Sequence, residues 1–124
     1  MNSRRILVID DDKAIHDMMR AVLERAGHRV FSAVDAMQGP MFARQVKPDL
    51  IILDINLPGG GGEKVYERLR SMAGTSVLPI LVYTGVSHAD MTRPIEENRD
   101  TFILAKPATP EAIAAAVEKL LSDR

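Results

Sequence analysis

Short apolar runs alternate with amphipathic stretches at intervals of roughly twenty residues, the spacing of repeated βα units. Ile6–Ile9 is a continuous apolar run of the kind that forms a strand buried on both faces, and it ends in Asp10, Asp11 and Asp12. Asp12 is placed to cap a first helix whose apolar stripe is Ile15, Met18, Met19, Val22, Leu23 and Ala26, and which stops at Gly27. Arg29–Ala33 reads as a second strand. Asp35 suits the cap of a second helix ending near Val46, with Gly39-Pro40 kinking it or delaying its start. Leu50–Leu53 is the third strand, ending on Asp54, and Val65, Leu69 and Met72 stripe a third helix with Gly74 beyond it.

Pro79 opens a fourth strand, Ile80–Tyr83, that ends on Thr84. Ser87 is a cap candidate for a fourth helix, weakened by Pro94 inside it. Phe102–Ala105 is the fifth strand, ending on Lys106-Pro107. Thr109-Pro110 is a cap and first-turn pair for a last helix striped by Ile113, Val117, Leu120 and Leu121. The pattern predicts one α/β domain over residues 1–124, (βα)5, whose right-handed crossovers give a parallel sheet covered on both faces.

Composition narrows the function. The chain of 124 residues carries 16 Lys+Arg against 17 Asp+Glu, a net charge of −1, with the basic residues scattered. A dedicated nucleic-acid binder usually shows a basic face, so no direct nucleic-acid contact is expected. There are no cysteines, which excludes disulfides, thiolate catalysis and Cys-based zinc sites. No apolar run is long enough for membrane insertion, and the acidic start Asp10-Asp11-Asp12 follows too soon for a secretory signal. A cytoplasmic setting is expected. His16, His28 and His88 share no spacing and read as surface residues.

The polar residues at the strand ends carry the chemistry. Asp10, Asp11, Asp54, Thr84 and Lys106 all fall at the carboxyl ends of strands, where ligands bind in an open α/β sheet. Two or three carboxylates at close range repel, and one lysine does not balance them. A divalent cation does, and carboxylates with a backbone carbonyl and water suit Mg²⁺. Asp54 then stays ionised as an oxygen nucleophile of the kind that forms aspartyl phosphates. Mg²⁺, Lys106 and the Thr84 hydroxyl are suited to the oxygens of a transferred phosphoryl group.

From residue 4 to about 122 the chain resembles the receiver domains of two-component response regulators, and is similar to the stand-alone chemotaxis type. The motifs ILVIDDD, LIILDINLPGGGG, ILVYTG and ILAKP occur in order and at family spacing. The resemblance implies a flavodoxin-like fold with strand order 2-1-3-4-5. It makes Asp54 the phosphoacceptor. Asp11 would ligate Mg²⁺ directly and Asp10 through water, and Asn56 would offer its backbone carbonyl. Thr84 would be the switch hydroxyl and Lys106 the phosphoryl clamp, with a cis bond between Lys106 and Pro107. A histidine kinase or histidine phosphotransfer protein would supply the phosphoryl group, and a downstream protein target would read the result. Such a domain is not a turnover enzyme, although it assists its own aspartyl phosphorylation and dephosphorylation.

Three features depart from the family pattern: four consecutive glycines at Gly59–Gly62, expected to loosen the loop; Pro94 with the Glu-Glu-Asn-Arg-Asp run; and Ile103 where an aromatic switch residue is usual. A haloacid-dehalogenase-like phosphatase is disfavoured because Asn56 stands where its general-acid Asp would be. A flavin module would meet phosphate repulsion from Asp10-Asp11-Asp12, and the glycines lack the Gly-Lys-Ser/Thr of a P-loop. A pseudo-receiver is disfavoured because every acceptor-site group is present. Ala14, Met18 and Ala21 widen the first helix's apolar arc, through generous core packing or as a kinase-docking patch. Both a stand-alone regulator and a receiver within a longer chain fit the sequence.

Overall fold

The continuous apolar runs become the strands of one parallel sheet. β1 (Arg5–Ile9), β2 (Arg29–Ala33), β3 (Leu50–Leu53), β4 (Ile80–Thr84) and β5 (Thr101–Ala105) lie within one residue of their expected positions, in the order β2-β1-β3-β4-β5. The computed structural model describes residues 3–58, 61–122 and 124. Among them are four α-helices: α1 (Lys13–Arg25), α2 (Gln38–Val46), α3 (Gly61–Ser71) and α4 (Pro110–Leu121).

Alternation along each strand divides the core in two. Ile6, Val8, Leu50, Ile52, Leu81 and Tyr83 pack with Met19 and Leu23 of α1 and Ile113 and Val117 of α4. On the other face, Leu7, Ile9, Ile51, Leu53 and Val82 pack with Ala43 of α2 and Val65 and Leu69 of α3. Two helix starts were legible as short-range chemistry. Asp12 accepts from the Ala14 N–H at 2.9 Å, and Thr109 accepts from Ala112 at 3.1 Å, with Pro110 at the first turn. Asp35 takes the N–H groups of Met37 and Gln38, and α2 starts late, at Gln38. Pro40 thereby falls in the first turn, where its missing N–H is harmless.

The expected fourth helix is absent, which corrects (βα)5 to five strands with four α-helices. After β4 the chain makes one 3₁₀ turn, His88–Asp90, then runs irregularly to an isolated bridge between Asn98 and Thr101. Met91 and Ile95 sit four residues apart and are buried against the second core, as a helix would place them. The backbone between them bonds to side chains instead. Glu63 of α3 accepts from the N–H groups of Thr92 (3.3 Å) and Arg93 (2.5 Å), and Glu97 accepts from Ile103 N–H at 2.9 Å. Pro94 has no N–H and disfavours helical backbone at Arg93. The segment is therefore a strap that also covers the outer edge of β5.

Candidate functional site

β1 lies in the sheet between β2 and β3, and the strand order reverses there, so the crevice at the carboxyl ends opens beside β1 and β3. The Asp54 N–H donates to the Ile9 carbonyl (3.0 Å), and the Asp10 N–H to Ala33 (3.1 Å), which fixes both acidic residues at the strand ends. Asp10 and Asp54 are buried while Asp11 is exposed, and one carboxylate oxygen from each lies within 4.8 Å of the others.

Lys106 reaches this cluster from the end of β5. Its Nζ donates to Asp10 Oδ2 at 2.8 Å and to Asp54 Oδ2 at 3.3 Å. The second oxygens are also held: Asp10 Oδ1 accepts from Asp12 N–H (2.9 Å), and Asp54 Oδ1 from Asn56 N–H (3.1 Å). Burial alone lowers the Lys106 pKa, but the hydrogen bond and charge of Asp10, reinforced by Asp54, outweigh it and hold the ammonium above its ordinary value. Lys106 is thus a fixed cation at neutral pH. The stability it contributes is present below the ordinary lysine pKa and is lost only as pH rises through the raised one. Three carboxylates against one ammonium leave the cluster at −2.

The Lys106–Pro107 peptide is cis. Tyr83 lies beneath this turn, its ring centroid 5.5 Å from Lys106 Nζ and its hydroxyl accepting from Ala108 N–H at 3.1 Å. Asp10, Asp11, Asp54 and Lys106 are therefore brought together. Thr84 stands buried at the end of β4, where its hydroxyl oxygen accepts from Val86 N–H at 3.2 Å, the first bond into the strap. Asn56 is exposed at the end of the β3 turn.

Two histidines are not where their sequence context put them. His16 and His28 are buried; His88 is exposed. His28 accepts from Arg4 N–H at its Nδ1 (3.1 Å), while its Nε2 faces Glu118 at 3.5 Å, short of a hydrogen bond. His16 Nε2 donates to the Asp10 carbonyl at 2.7 Å, and its Nδ1 is buried without a partner. The signal for His16 was available: with Met19 and Leu23 it makes an i, i+3, i+7 stripe. His16→Ala leaves the Asp10 carbonyl unpaired, and urea denaturation should show a loss of about 2 kcal/mol. His16→Gln, whose amide reaches as far, should recover part of it. Equal losses would mean that only packing matters there.

Gly62 is the second feature that sequence reading missed. A Cβ there would overlap the Asp54 carbonyl oxygen and come within 2.5 Å of Ile55 Cα, and the Gly62 N–H donates to the Ile55 carbonyl at 2.6 Å. The start of α3 is thus pressed directly onto the backbone of Asp54. The loosening expected of Gly59–Gly62 does not hold for Gly61 and Gly62, which open α3 instead of extending the loop, and Gly59 and Gly60 lie outside the described residues.

The family model described as the response regulator receiver domain matches residues 6–118. The chain belongs to that family. A receiver is a signalling domain of two-component systems. This one is 41% identical over 118 residues to the DNA-binding dual master transcriptional regulator RpaA of Synechocystis, covering 94% of this chain and 48% of RpaA. It spans about half the length of the curated transcriptional regulators it matches. A solved response regulator from Chloroflexus aurantiacus superposes with TM-score 0.82 at 27% identity, covering 98% of this receiver and 99% of that chain. The receiver domain of the Pseudomonas aeruginosa sensor histidine kinase PA1611 shares the fold, with TM-score 0.85 at 20% identity, covering 98% of this chain and 100% of that one. That structure has a magnesium ion coordinated in its active site cleft. Among the described residues, no helix is long and apolar enough to cross a membrane.

Proposed function

We propose that residues 1–124 act as a single receiver unit that accepts a phosphoryl group on Asp54 from a histidine kinase or a histidine phosphotransfer protein. An Asp54 carboxylate oxygen attacks phosphorus, the P–N bond to the donor imidazole breaks, and the imidazole leaves with that electron pair. The observation that carries this reading is Lys106 Nζ set against both Asp10 and Asp54 inside a cluster of three carboxylates. Lys106 is positioned to follow the developing charge onto the phosphoryl oxygens, and the Thr84 hydroxyl would donate to another of them.

The donor set fits a hard divalent cation. Its net charge of −2 is unrelieved, its ligands are all oxygens, and exposed Asp11 leaves room for water. Asp11 would hold Mg²⁺ directly, Asp10 through water, and Asp54 and the Asn56 backbone carbonyl would complete the protein ligands. When bound, Mg²⁺ would offset the carboxylate repulsion and withdraw charge from the phosphoryl oxygens. The magnesium ion in the PA1611 receiver domain supports this choice. Intact-mass measurement after incubation with a small phosphodonor tests the reading: one phosphoryl adduct is expected with Mg²⁺ and essentially none after chelation. An adduct that forms equally without the metal would refute the metal's role. The setting is cytoplasmic, and the domain assists its own phosphorylation and dephosphorylation while a downstream protein reads the result. It does not contact nucleic acid itself.

The output passes through the strap. Turning the Thr84 hydroxyl toward phosphate disturbs the bond it accepts from Val86, the first link of residues 85–98. Ile103 is β-branched and has few rotamers on a strand, so a large swing of that side chain is disfavoured. Activation by beryllofluoride with Mg²⁺ is expected to change hydrogen exchange most in residues 85–98, with Ile103 keeping one rotamer. Ile103→Ala should leave phosphorylation nearly intact. A rotamer change at Ile103 with residues 85–98 unaltered would overturn this route.

A further inference from the structure

We propose that the seam between α2 and α3 is a docking groove for an acidic amphipathic helix of a partner protein. Of the four large hydrophobic side chains left exposed among the described residues, Met37 and Met41 wall the seam, and Val34 and Val77 belong to the segments at its two ends. Val34, Met37 and Met41 lie at the α2 N-terminal end, 45%, 80% and 43% exposed, and Val77 lies in the loop closing the other end, 69% exposed. Between them are two recesses that share Arg44. One, of about 350 Å³, is walled by Met37, Met41, Arg44 and Arg68. The other, of about 530 Å³, is walled by Arg44, Lys47, Pro48, Met72 and Leu78.

Charge selects the occupant. The seam's Arg44, Lys47 and Arg68 are exposed and, among the described residues, have no carboxylate at ion-pair distance. Elsewhere on the surface, Lys13, Arg20, Arg93 and Arg124 each have a carboxylate at that distance. Arg25, Arg29, Arg99 and Lys119 are likewise exposed without an ion pair among the described residues. The walls of the two seam recesses, however, carry Arg44, Lys47 and Arg68 and no acidic residue, so a guest there meets positive charge alone. Methionine side chains repack around varied apolar partners, and a helix laid in a groove offers anchors at i, i+3/i+4 and i+7. The nine residues of α2 span about 13 Å, so about ten residues of partner helix would cover them. A second copy does not supply such a helix. The apolar stripes of α1, α3 and α4 face the sheet, and Asp17, Glu24 and Glu67 are held in ion pairs. A flat lipid surface would leave the recesses unfilled.

The probe is a helical peptide with Leu on one face and Glu on the other, titrated into the ¹⁵N-labelled, unphosphorylated chain. Because no phosphoryl group is involved, failure here and failure of the Asp54 reading are separate results. Shift changes confined to residues 34–47 and 64–78 are expected, with half-saturation on the order of 100 µM. Met41→Glu and Arg44→Glu should each weaken binding about tenfold or more, with the rest of the spectrum unchanged. The same peptide with Lys in place of Glu should not bind. Absence of shifts at about 1 mM peptide, well above the expected half-saturation, would overturn the proposal. So would equal binding of the Lys peptide, self-association through these residues, or stronger binding to phosphatidylserine vesicles than to the peptide.

Discussion

Asp54→Asn is expected to take up no phosphoryl group from any donor, while its melting temperature in the absence of Mg²⁺ rises. Both results follow from the same carboxylate. The amide keeps the shape of Asp54 but is not a usable nucleophile, so the loss is complete. Removing one of three carboxylates that lie within 4.8 Å of one another also relieves repulsion that a single ammonium leaves uncompensated. The gain is about 1 kcal/mol, far below the bare Coulomb value for such spacing because water and Lys106 screen it. Asp11→Ala should behave differently. Asp54 and Lys106 stay in place, so the acceptor survives, but Mg²⁺ affinity falls and phosphorylation slows by two orders of magnitude or more, roughly the cost of removing a main charge-stabilising group. Thermal melts with and without Mg²⁺, run beside phosphorylation time courses, separate the two variants. Mg²⁺ should stabilise the unaltered chain and leave Asp11→Ala nearly unmoved.

Gly62→Ala should damage the fold and the site together. Its added methyl would fall on the Asp54 carbonyl and within 2.5 Å of Ile55 Cα, backbone atoms that cannot rotate aside. Overpacking of this kind costs about 2 kcal/mol. With an unfolding entropy of ~0.26 kcal/mol per kelvin for a chain of this length, the melting temperature drops by roughly 8 °C. Phosphoryl uptake should slow as well, because relief comes from pushing α3 away from Asp54. Two neighbours provide the comparison. Gly61 has φ +80 and open space around its Cβ position, so Gly61→Ala should cost about 1 kcal/mol of backbone strain with little effect on uptake. Gly74 has open space and no such backbone, and Gly74→Ala should be neutral. If Gly62→Ala phosphorylates at the normal rate, the tight contact is not what positions Asp54.

The contrast among those glycines shows where sequence reading stops. Asp10, Asp54, Thr84 and Lys106 were legible because a buried parallel strand is a continuous apolar run, and its first polar residue marks the edge where ligands bind. Asp12 and Thr109 were legible because a cap acts over two or three residues. Which of four consecutive glycines touches Asp54 depends on how α3 approaches β3, and nothing local records that. The same holds for His28, buried by Arg4 and the flank of α4 from opposite ends of the chain. The missing helix is the most instructive case. Met91 and Ile95 have helical spacing, yet Glu63, 28 residues before Met91, takes the backbone donors a helix would have used. Local periodicity was present and a distant carboxylate, with Pro94, overrode it.

The central claim is that an acyl phosphate forms on one carboxylate, and borohydride trapping tests it most directly. The chain is incubated with Mg²⁺ and a small phosphodonor, treated with sodium borohydride, and digested for peptide mass mapping. Reduction of an aspartyl phosphate leaves homoserine, and the expected product is homoserine at residue 54 alone, absent when Mg²⁺ is chelated. Homoserine at Asp10 or Asp11, or a phosphoryl adduct that survives borohydride unchanged on another residue, would contradict the account.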